Sequence, residues 1–166
     1  VCLVDAATGE IIWGTSFETF HVGSGMAADI DPTKPGMECW ASEDPKGDPA
    51  GLKYNNNPPR WIFSASGELF GQEEKVPSMI TAYWDADGLR ELVGGGRIYK
   101  YRGQTVAQGI QGSQVIWADV LGDWREEIIT SVQGEMRIYS TTIPATDRRV
   151  CLMQDPIYRI DTANNA

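Results

Sequence analysis

The twelve residues Ala118-Asp119-Val120-Leu121-Gly122-Asp123-Trp124-Arg125-Glu126-Glu127-Ile128-Ile129 hold two aspartates, a glycine, a tryptophan and two glutamates, and they end on an apolar pair. Aspartates closely spaced around a glycine turn suit a hard cation, which needs several oxygen ligands on a backbone that bends tightly. The Glu-Ile-Ile that follows reads as a strand leaving the loop. Two weaker copies lie upstream. Ala27-Ala28-Asp29-Ile30-Asp31-Pro32 passes through Lys34-Pro35-Gly36 into Met37-Glu38-Cys39-Trp40. Asp85-Ala86-Asp87-Gly88-Leu89-Arg90-Glu91-Leu92-Val93 is the other. The repeat is an acidic turn, a Glu-led strand, and then a strand carrying Arg-Ile-Tyr or Gly-Glu-aromatic.

The rest of the chain reads as short strands and turns. Residues 1–14 form a hairpin turning at Ala7-Thr8-Gly9, and Glu10-Ile11-Ile12-Trp13 returns as its second strand. Trp61 to Phe70 repeats that unit, and a polar, turn-rich loop spans 42–59. Further strands are expected at 17–22, 78–84, 97–101, 114–117, 128–132, 135–140 and 150–153. Gly23-Ser24-Gly25 reads as a flexible turn and 71–77 as a charged connector. No segment sustains a 3.6-residue period, although 143–149 has room for one helical turn.

The Asp29, Asp85 and Asp119 copies are unevenly spaced but bracket the roughly 40–50 residues of one propeller blade. The fold expected is all-β, an arc of about three β-propeller blades, with 1–166 a single partial domain. Such an arc does not close a ring and leaves sheet edges exposed, so the rest of a parent propeller is an expected partner. The chain opens in what reads as mid-strand on Val1-Cys2-Leu3, as a piece of a longer protein would.

Charge narrows the partners. The net charge is −9, which disfavours nucleic acid and acidic membrane surfaces. No apolar run is long enough to span a membrane as a helix. An acidic chain that handles an acidic ligand needs cations between the two. The three cysteines, Cys2, Cys39 and Cys151, form neither a disulfide framework nor a Cys-x-x-Cys site. They read as buried, unpaired thiols, with a Cys2–Cys151 bridge as the alternative.

For the turns, binding of Ca²⁺ by Asp29, Asp31, Asp85, Asp87, Asp119 and Asp123 stands against turn-capping by the same side chains with no ion. Mg²⁺ fits less well, because flexible carboxylate loops suit the larger ion. Trp124 and Arg125 read either as a packed indole with an Arg–Glu pair or as a platform for a ligand. Trp84 reads either as packing or as a stacking surface for a sugar ring. His21 is the only histidine, which excludes a zinc site built on paired histidines and a conventional triad.

Four blocks occur in a telling order: Gly25-Met26-Ala27-Ala28-Asp29-Ile30-Asp31-Pro32; Tyr83-Trp84-Asp85-Ala86-Asp87-Gly88-Leu89-Arg90-Glu91-Leu92; the 118–129 stretch with Arg137-Ile138-Tyr139-Ser140-Thr141-Thr142-Ile143-Pro144; and Leu152-Met153-Gln154-Asp155-Pro156 with Tyr158-Arg159. Together they resemble the C-terminal half of the family 11 polysaccharide lyases, the bacterial rhamnogalacturonan lyases, over nearly the whole chain. The resemblance implies an eight-bladed propeller with bound calcium, secreted or otherwise extracytoplasmic. It also implies calcium-dependent β-elimination of the galacturonate–rhamnose backbone of rhamnogalacturonan I in pectin, with Ca²⁺ on the uronate carboxylate and a base removing the C5 proton.

Two departures qualify that expectation. The family carries an Arg in the glycine turn before Ala-Ala-Asp-Ile-Asp and a Lys some eight residues before the Asp matching Asp119. Those positions are Ser24 and about Gln111 here, and neither does the work of a cation or a strong base. The catalytic residues are therefore left unassigned. Lys100, Arg102 and Arg125 are the nearest basic alternatives, and Trp84, Trp124 and Arg125 the expected polymer contacts. A non-catalytic, calcium-stabilised propeller that binds carbohydrate or protein is the second reading.

Overall fold

The computed structural model describes residues 1–19, 21–44, 59–71 and 78–164. Most of the expected 42–59 loop and of the 71–77 connector lies outside the described residues. Two compact units divide the chain, Val1–Met79 and Ile80–Ala166.

In the first unit, β1 (Cys2–Val4) and β2 (Ile11–Gly14) form the expected hairpin. Strands β3 (Val22–Ala28), β4 (Glu38–Glu43), β5 (Arg60–Phe63) and β6 (Leu69–Gly71) follow as one antiparallel meander, each paired with its neighbour in sequence. Gly23-Ser24-Gly25 is not a turn but part of β3, where Ser24 pairs with Ser42 and Gly25 with Ala41. The register shifts between Val22 and Ser24, and a Cβ on Gly23 would stand 2.5 Å from the Asp44 side chain. Glycine there marks a bulge with a close approach, not a bend. Phe17 is not in a strand; its ring packs 5.3 Å from that of Trp61.

Aromatic side chains fill this core. Trp13 lies 5.3 Å from Phe63 and donates its indole N–H to the Ala65 carbonyl at 3.0 Å. Gly67, at φ +87°, lets the chain turn under that indole, since a Cβ there would come within 2.6 Å of the ring. The two strand–turn–strand units of the sequence thus meet through Trp13.

The second unit contains two meanders. One runs through β7 (Thr81–Ala82), β8 (Glu91–Gly94), β9 (Arg97–Tyr99) and β10 (Thr105–Gln108). The other runs through β11 (Ser113–Ala118), β12 (Glu127–Val132) and β13 (Glu135–Tyr139). Ala82, Trp84, Val93, Ile98 and Ile128 form the core between them, with Ile80, Trp117 and Ile143 packed alongside. Strand β7 is shorter than expected because the next two backbone N–H groups, of Tyr83 and Trp84, go to the carboxylates of Glu126 and Glu91.

The C-terminal part departs furthest from expectation. Residues 143–149 are irregular rather than helical, and their carbonyls serve the third acidic turn: Ile143 accepts from Arg125 and Asp147 accepts from the Trp124 indole at 3.1 Å. Residues 150–153 form no strand. A 3₁₀ turn spans Leu152–Gln154, and Leu152 N–H donates to Asp119 instead of to a sheet. Helix α1 (Pro156–Asn164) was not expected at all. Its start has a clear local cause, since Asp155 Oδ1 accepts from Ile157 N–H at 2.8 Å and proline fills the first helical position. All three thiols are free, but none is buried: Cys39 and Cys151 are half-buried and Cys2 is exposed.

Candidate metal-binding turns

Each acidic turn joins the first two strands of a meander, and each is built the same way. Ala28 pairs with Glu38, Ala82 with Glu91 and Ala118 with Glu127 at the mouth of the turn. All three alanines and all three glutamates are at most 1% exposed. The small side chain leaves room for the glutamate beside it to fold back over the turn. There one oxygen accepts two consecutive backbone N–H groups. Glu38 Oε2 takes those of Ile30 and Asp31, both at 2.9 Å. Glu91 Oε2 takes Trp84 at 2.8 Å and Asp85 at 3.4 Å. Glu127 Oε2 takes Val120 and Leu121, both at 3.1 Å. The glutamates, which the sequence offered only as strand openers, are the staples of the turns.

This geometry corrects the alignment of the copies. Counting from each alanine, Asp31 corresponds to Asp85 and to Leu121, whereas Asp29 and Asp119 correspond to Tyr83. Asp87 and Asp123 share a position that Thr33 holds in the first turn. The hydrogen bonds repeat in this register: Asp31 Oδ1 accepts from Thr33 N–H at 2.9 Å and Asp85 Oδ1 from Asp87 N–H at 3.2 Å. Likewise Asp87 Oδ1 accepts from Leu89 N–H at 2.9 Å and Asp123 Oδ1 from Arg125 N–H at 3.1 Å. Every turn therefore fills two of three acidic positions, and a different two each time.

What meets the remaining oxygens differs from turn to turn. In the third, Asp119 accepts three backbone N–H groups, from Gly122, Trp124 and Leu152 at 2.8–3.0 Å, and Asp123 Oδ2 pairs with the Arg125 guanidinium. Glu127 Oε1 accepts from the Ser140 hydroxyl at 3.1 Å. Here the aspartates cap the turn. In the second, oxygens of Asp85, Asp87 and Glu91 lie within 4.8 Å of one another, a spacing that fits a metal ion, and Lys100 Nζ stands 2.7 Å from Asp85 Oδ2. Burial pushes the Glu91 carboxyl up to about 7, and the Asp85 charge adds to the effect. In the first, Glu38 Oε1 is buried with no hydrogen-bond partner among the described residues. Burial holds the Glu38 carboxyl above its usual range, with Asp29 and Asp31 contributing. Among the described residues the acidic group with metal-ligand spacing is that of the second turn, and the first offers one orphaned buried carboxylate oxygen of the kind a hard cation satisfies.

The expected polymer contacts are placed as follows. Trp84 is 5% exposed within the core of the second unit, and Trp124 is 2% exposed. The Arg149 guanidinium covers the Trp124 ring at 4.5 Å. Trp124 and Arg125 line an open cavity of about 430 Å³ together with Asp123, Asp147, Arg148 and Arg149. Trp124 adopts a left-handed backbone, φ 69°, held by the bond from its N–H to Asp119. Arg102 stacks on Tyr101 at 5.0 Å.

Two further groups have no signal in the sequence. Beside Gln111, Arg137 contacts the Gln111 side-chain oxygen and the Tyr139 hydroxyl accepts Gln111 N–H at 3.0 Å. That hydrogen bond, with the Arg137 charge, holds the Tyr139 phenol below its usual range. Glu126, 2% exposed, joins Arg90 at 2.7 Å, Tyr83 N–H at 2.9 Å and the Tyr158 hydroxyl at 2.7 Å, so it fastens α1 to the two turns of the second unit.

Short antiparallel meanders that carry a glutamate-stapled acidic turn at the same corner define a β-repeat protein that gathers carboxylates at its loops. The chain belongs to rhamnogalacturonan lyase family 11: the family's C-terminal domain matches residues 1–166. The rhamnogalacturonan endolyase YesW of Bacillus subtilis (strain 168) is 36% identical over 174 residues, covering 96% of this chain and 25% of the relative. The rhamnogalacturonan exolyase YesX of the same organism is 34% identical over 184 residues, covering 97% and 29%. The crystal structures of these two superpose with TM-scores of 0.72 at 37% identity and 0.74 at 33% identity. They cover 98% and 99% of this chain and 27% and 30% of the solved chains. This chain thus spans under a third of the length of these relatives.

Proposed function

We propose that the chain is part of a rhamnogalacturonan lyase that cleaves the galacturonate–rhamnose backbone of pectin by calcium-dependent β-elimination. The observation that carries the reading is the match to named rhamnogalacturonan lyases along nearly the whole chain. The meanders correspond to blades of an eight-bladed propeller. Strand β13, which pairs only with β12 among the described residues and has Met136 71% and Ile138 53% exposed, supports packing against further chain of the parent protein. A polymeric substrate of this kind supports action outside the cytoplasm.

Calcium is proposed first for Asp29, Asp31 and Glu38, supported by the buried Glu38 oxygen that has no hydrogen-bond partner among the described residues. When bound, calcium supplies a hard positive charge that an acidic chain otherwise lacks for a uronate carboxylate. The Asp119–Asp123 pair is the weaker metal site, because protein donors already engage both carboxylates. Trp124 and Arg125, which line the cavity, are the proposed polymer contacts, whereas Trp84 is packed within the core of its unit.

One observation favours the alternative of a non-catalytic, calcium-stabilised binding propeller. Ser24 pairs within β3, and Gln111 is neutral and tied to Arg137 and Tyr139. Incubating the full-length protein with rhamnogalacturonan I and calcium, while following absorbance of the unsaturated product, separates the two. Product formation abolished by chelation is expected. No absorbance gain, with the polymer still bound, establishes the binding module instead.

A further inference from the structure

The buried glutamate of each turn has a second oxygen, and the three turns treat it differently. Among the described residues Glu38 Oε1 has no partner, Glu127 Oε1 takes a serine hydroxyl, and Glu91 Oε1 lies 3.6 Å from an ammonium. That ammonium is Lys100 Nζ, which also stands 2.7 Å from Asp85 Oδ2 and contacts Asp87 Oδ2. It therefore touches all three residues whose oxygens cluster within 4.8 Å.

Lys100 reaches this seat from a fixed base. It follows β9 directly, its N–H donates to the Gln104 carbonyl at 3.0 Å, and its own carbonyl accepts Gly103 N–H at 3.0 Å. Its side chain is 27% exposed, against 1% for Glu91. Burial alone would lower the Lys100 pKa, but the hydrogen bonds and charges of Asp85 and Asp87 outweigh it and hold the amine well above its usual value. Two aspartates gathered around a buried glutamate without a cation would be strongly unfavourable. A divalent ion could enter only by displacing the ammonium, because the two would otherwise share the same oxygens at like-charge distance.

We propose that Lys100 is the resident cation of the second acidic turn, occupying the seat that a divalent ion would fill, so that this turn is ordered without metal and becomes a calcium site only when the ammonium is removed. The turns of one chain would then differ in what they require. The first awaits an external ion, the second carries its own, and the third closes through backbone donors and Arg125. This inference is independent of the lyase reading, because nothing in it involves the polymer.

The test counts bound ions in the chelator-treated protein by equilibrium dialysis against calcium. Terbium luminescence serves as a second probe, since Trp84 immediately precedes Asp85 and can sensitise an ion held there. Lys100→Met is expected to bind one calcium more per chain than the unaltered protein and to gain tryptophan-sensitised terbium emission. It should also lose stability when metal-free and recover it in calcium. Lys100→Arg, which keeps a cation in place, is expected to bind the same number of ions as the parent. Adding Asp85→Asn to Lys100→Met should abolish the extra site. Equal stoichiometry in the parent and in Lys100→Met overturns the proposal. So does a Lys100→Met protein that fails to fold even in calcium, because the ion should replace the ammonium. Loss of calcium from the first turn would lower both counts equally and leave their difference intact.

Discussion

Ala118 stands directly opposite Glu127 where β11 and β12 leave the third acidic turn, and both are at most 1% exposed. The same pair recurs as Ala28–Glu38 and Ala82–Glu91. The alanine is thus as much a part of the turn as the carboxylates. A larger neighbour on the same face of the pleat would take the volume through which the glutamate folds back to the two N–H groups.

Ala118→Leu should therefore destabilise the chain by about 1–3 kcal/mol through overpacking. The expected signature in a guanidinium titration is a lower midpoint at unchanged slope. A midpoint equal to that of the parent would show that the opposition of the two residues is incidental.

The staple itself separates shape from charge. Glu127→Ala takes the acceptor from the part-buried Leu121 N–H and leaves Val120 N–H only the Ala118 carbonyl, at about 1–3 kcal/mol in all. Glu127→Gln keeps an oxygen at the same place and removes a carboxylate whose burial holds its pKa above the usual range. The glutamine variant should stay within about 1 kcal/mol of the parent, and the alanine variant should fall well below it. If both fall equally, the negative charge is what matters.

The turns were legible in the sequence because aspartate, glycine and a following glutamate have few other uses so close together. Their internal alignment was not. Matching Asp29 with Asp85 and Asp119 by residue type places the second copy two residues out of register, since only the Ala–Glu pairing sets the frame. The strands bounding the turns were readable from β-branched runs, whereas residues 141–155 were misread. That segment has its carbonyls and N–H groups committed to Trp124, Arg125 and Asp119, which are partners far away in sequence. Helix α1 has only a local signal, Asp155-Pro156, and no long apolar period to mark it. Arg137 and Tyr139 reach Gln111 only across the second meander of this unit, and no spacing along the chain shows that.

Ala86 carries a backbone conformation that suits it poorly. Its φ is 68°, and the residue at the same position of the third turn is Gly122 at φ 80°. A left-handed alanine costs about 1–2 kcal/mol, part of which glycine returns as unfolded-chain entropy. Ala86→Gly should raise stability by up to about 1 kcal/mol. A loss of stability would mean that the alanine methyl makes a contact worth more than the strain.

Tyr158 is the helix's hold on the turns. Its hydroxyl donates to Glu126 Oε1 at 2.7 Å and accepts Asp119 N–H at 3.1 Å. Burial raises the phenol pKa first, and the Glu126 charge adds to it, so the group remains a donor at every relevant pH. Tyr158→Phe should cost about 1–3 kcal/mol, since a buried carboxylate oxygen and a backbone N–H both lose their partner. Hydrogen exchange should show the loss in α1 before it reaches the sheets.

The glutamate staples also set a pH dependence whose sign is opposite to that of an ordinary paired carboxylate. Burial pushes the Glu91 carboxyl from an ordinary 4.5 up to about 7 in the folded chain. Between those values the native chain holds a proton that the unfolded chain has released, so unfolding becomes easier as pH rises through that window. The contribution reaches at most about 3 kcal/mol above pH 7. Glu38 and Glu127 are shifted in the same direction by burial and add to it. Asp87 and Asp123 lie below their usual value, so the stability they contribute is lost only at more acidic pH. In chelator, the denaturation midpoint should therefore fall from pH 5 to pH 8, and Glu91→Gln should flatten that slope. Calcium should oppose the fall by favouring the ionised carboxylates of the first turn. A chelated protein that grows more stable between pH 5 and pH 8 would show that its buried glutamates are already ionised at pH 5, with cations of the chain neutralising them.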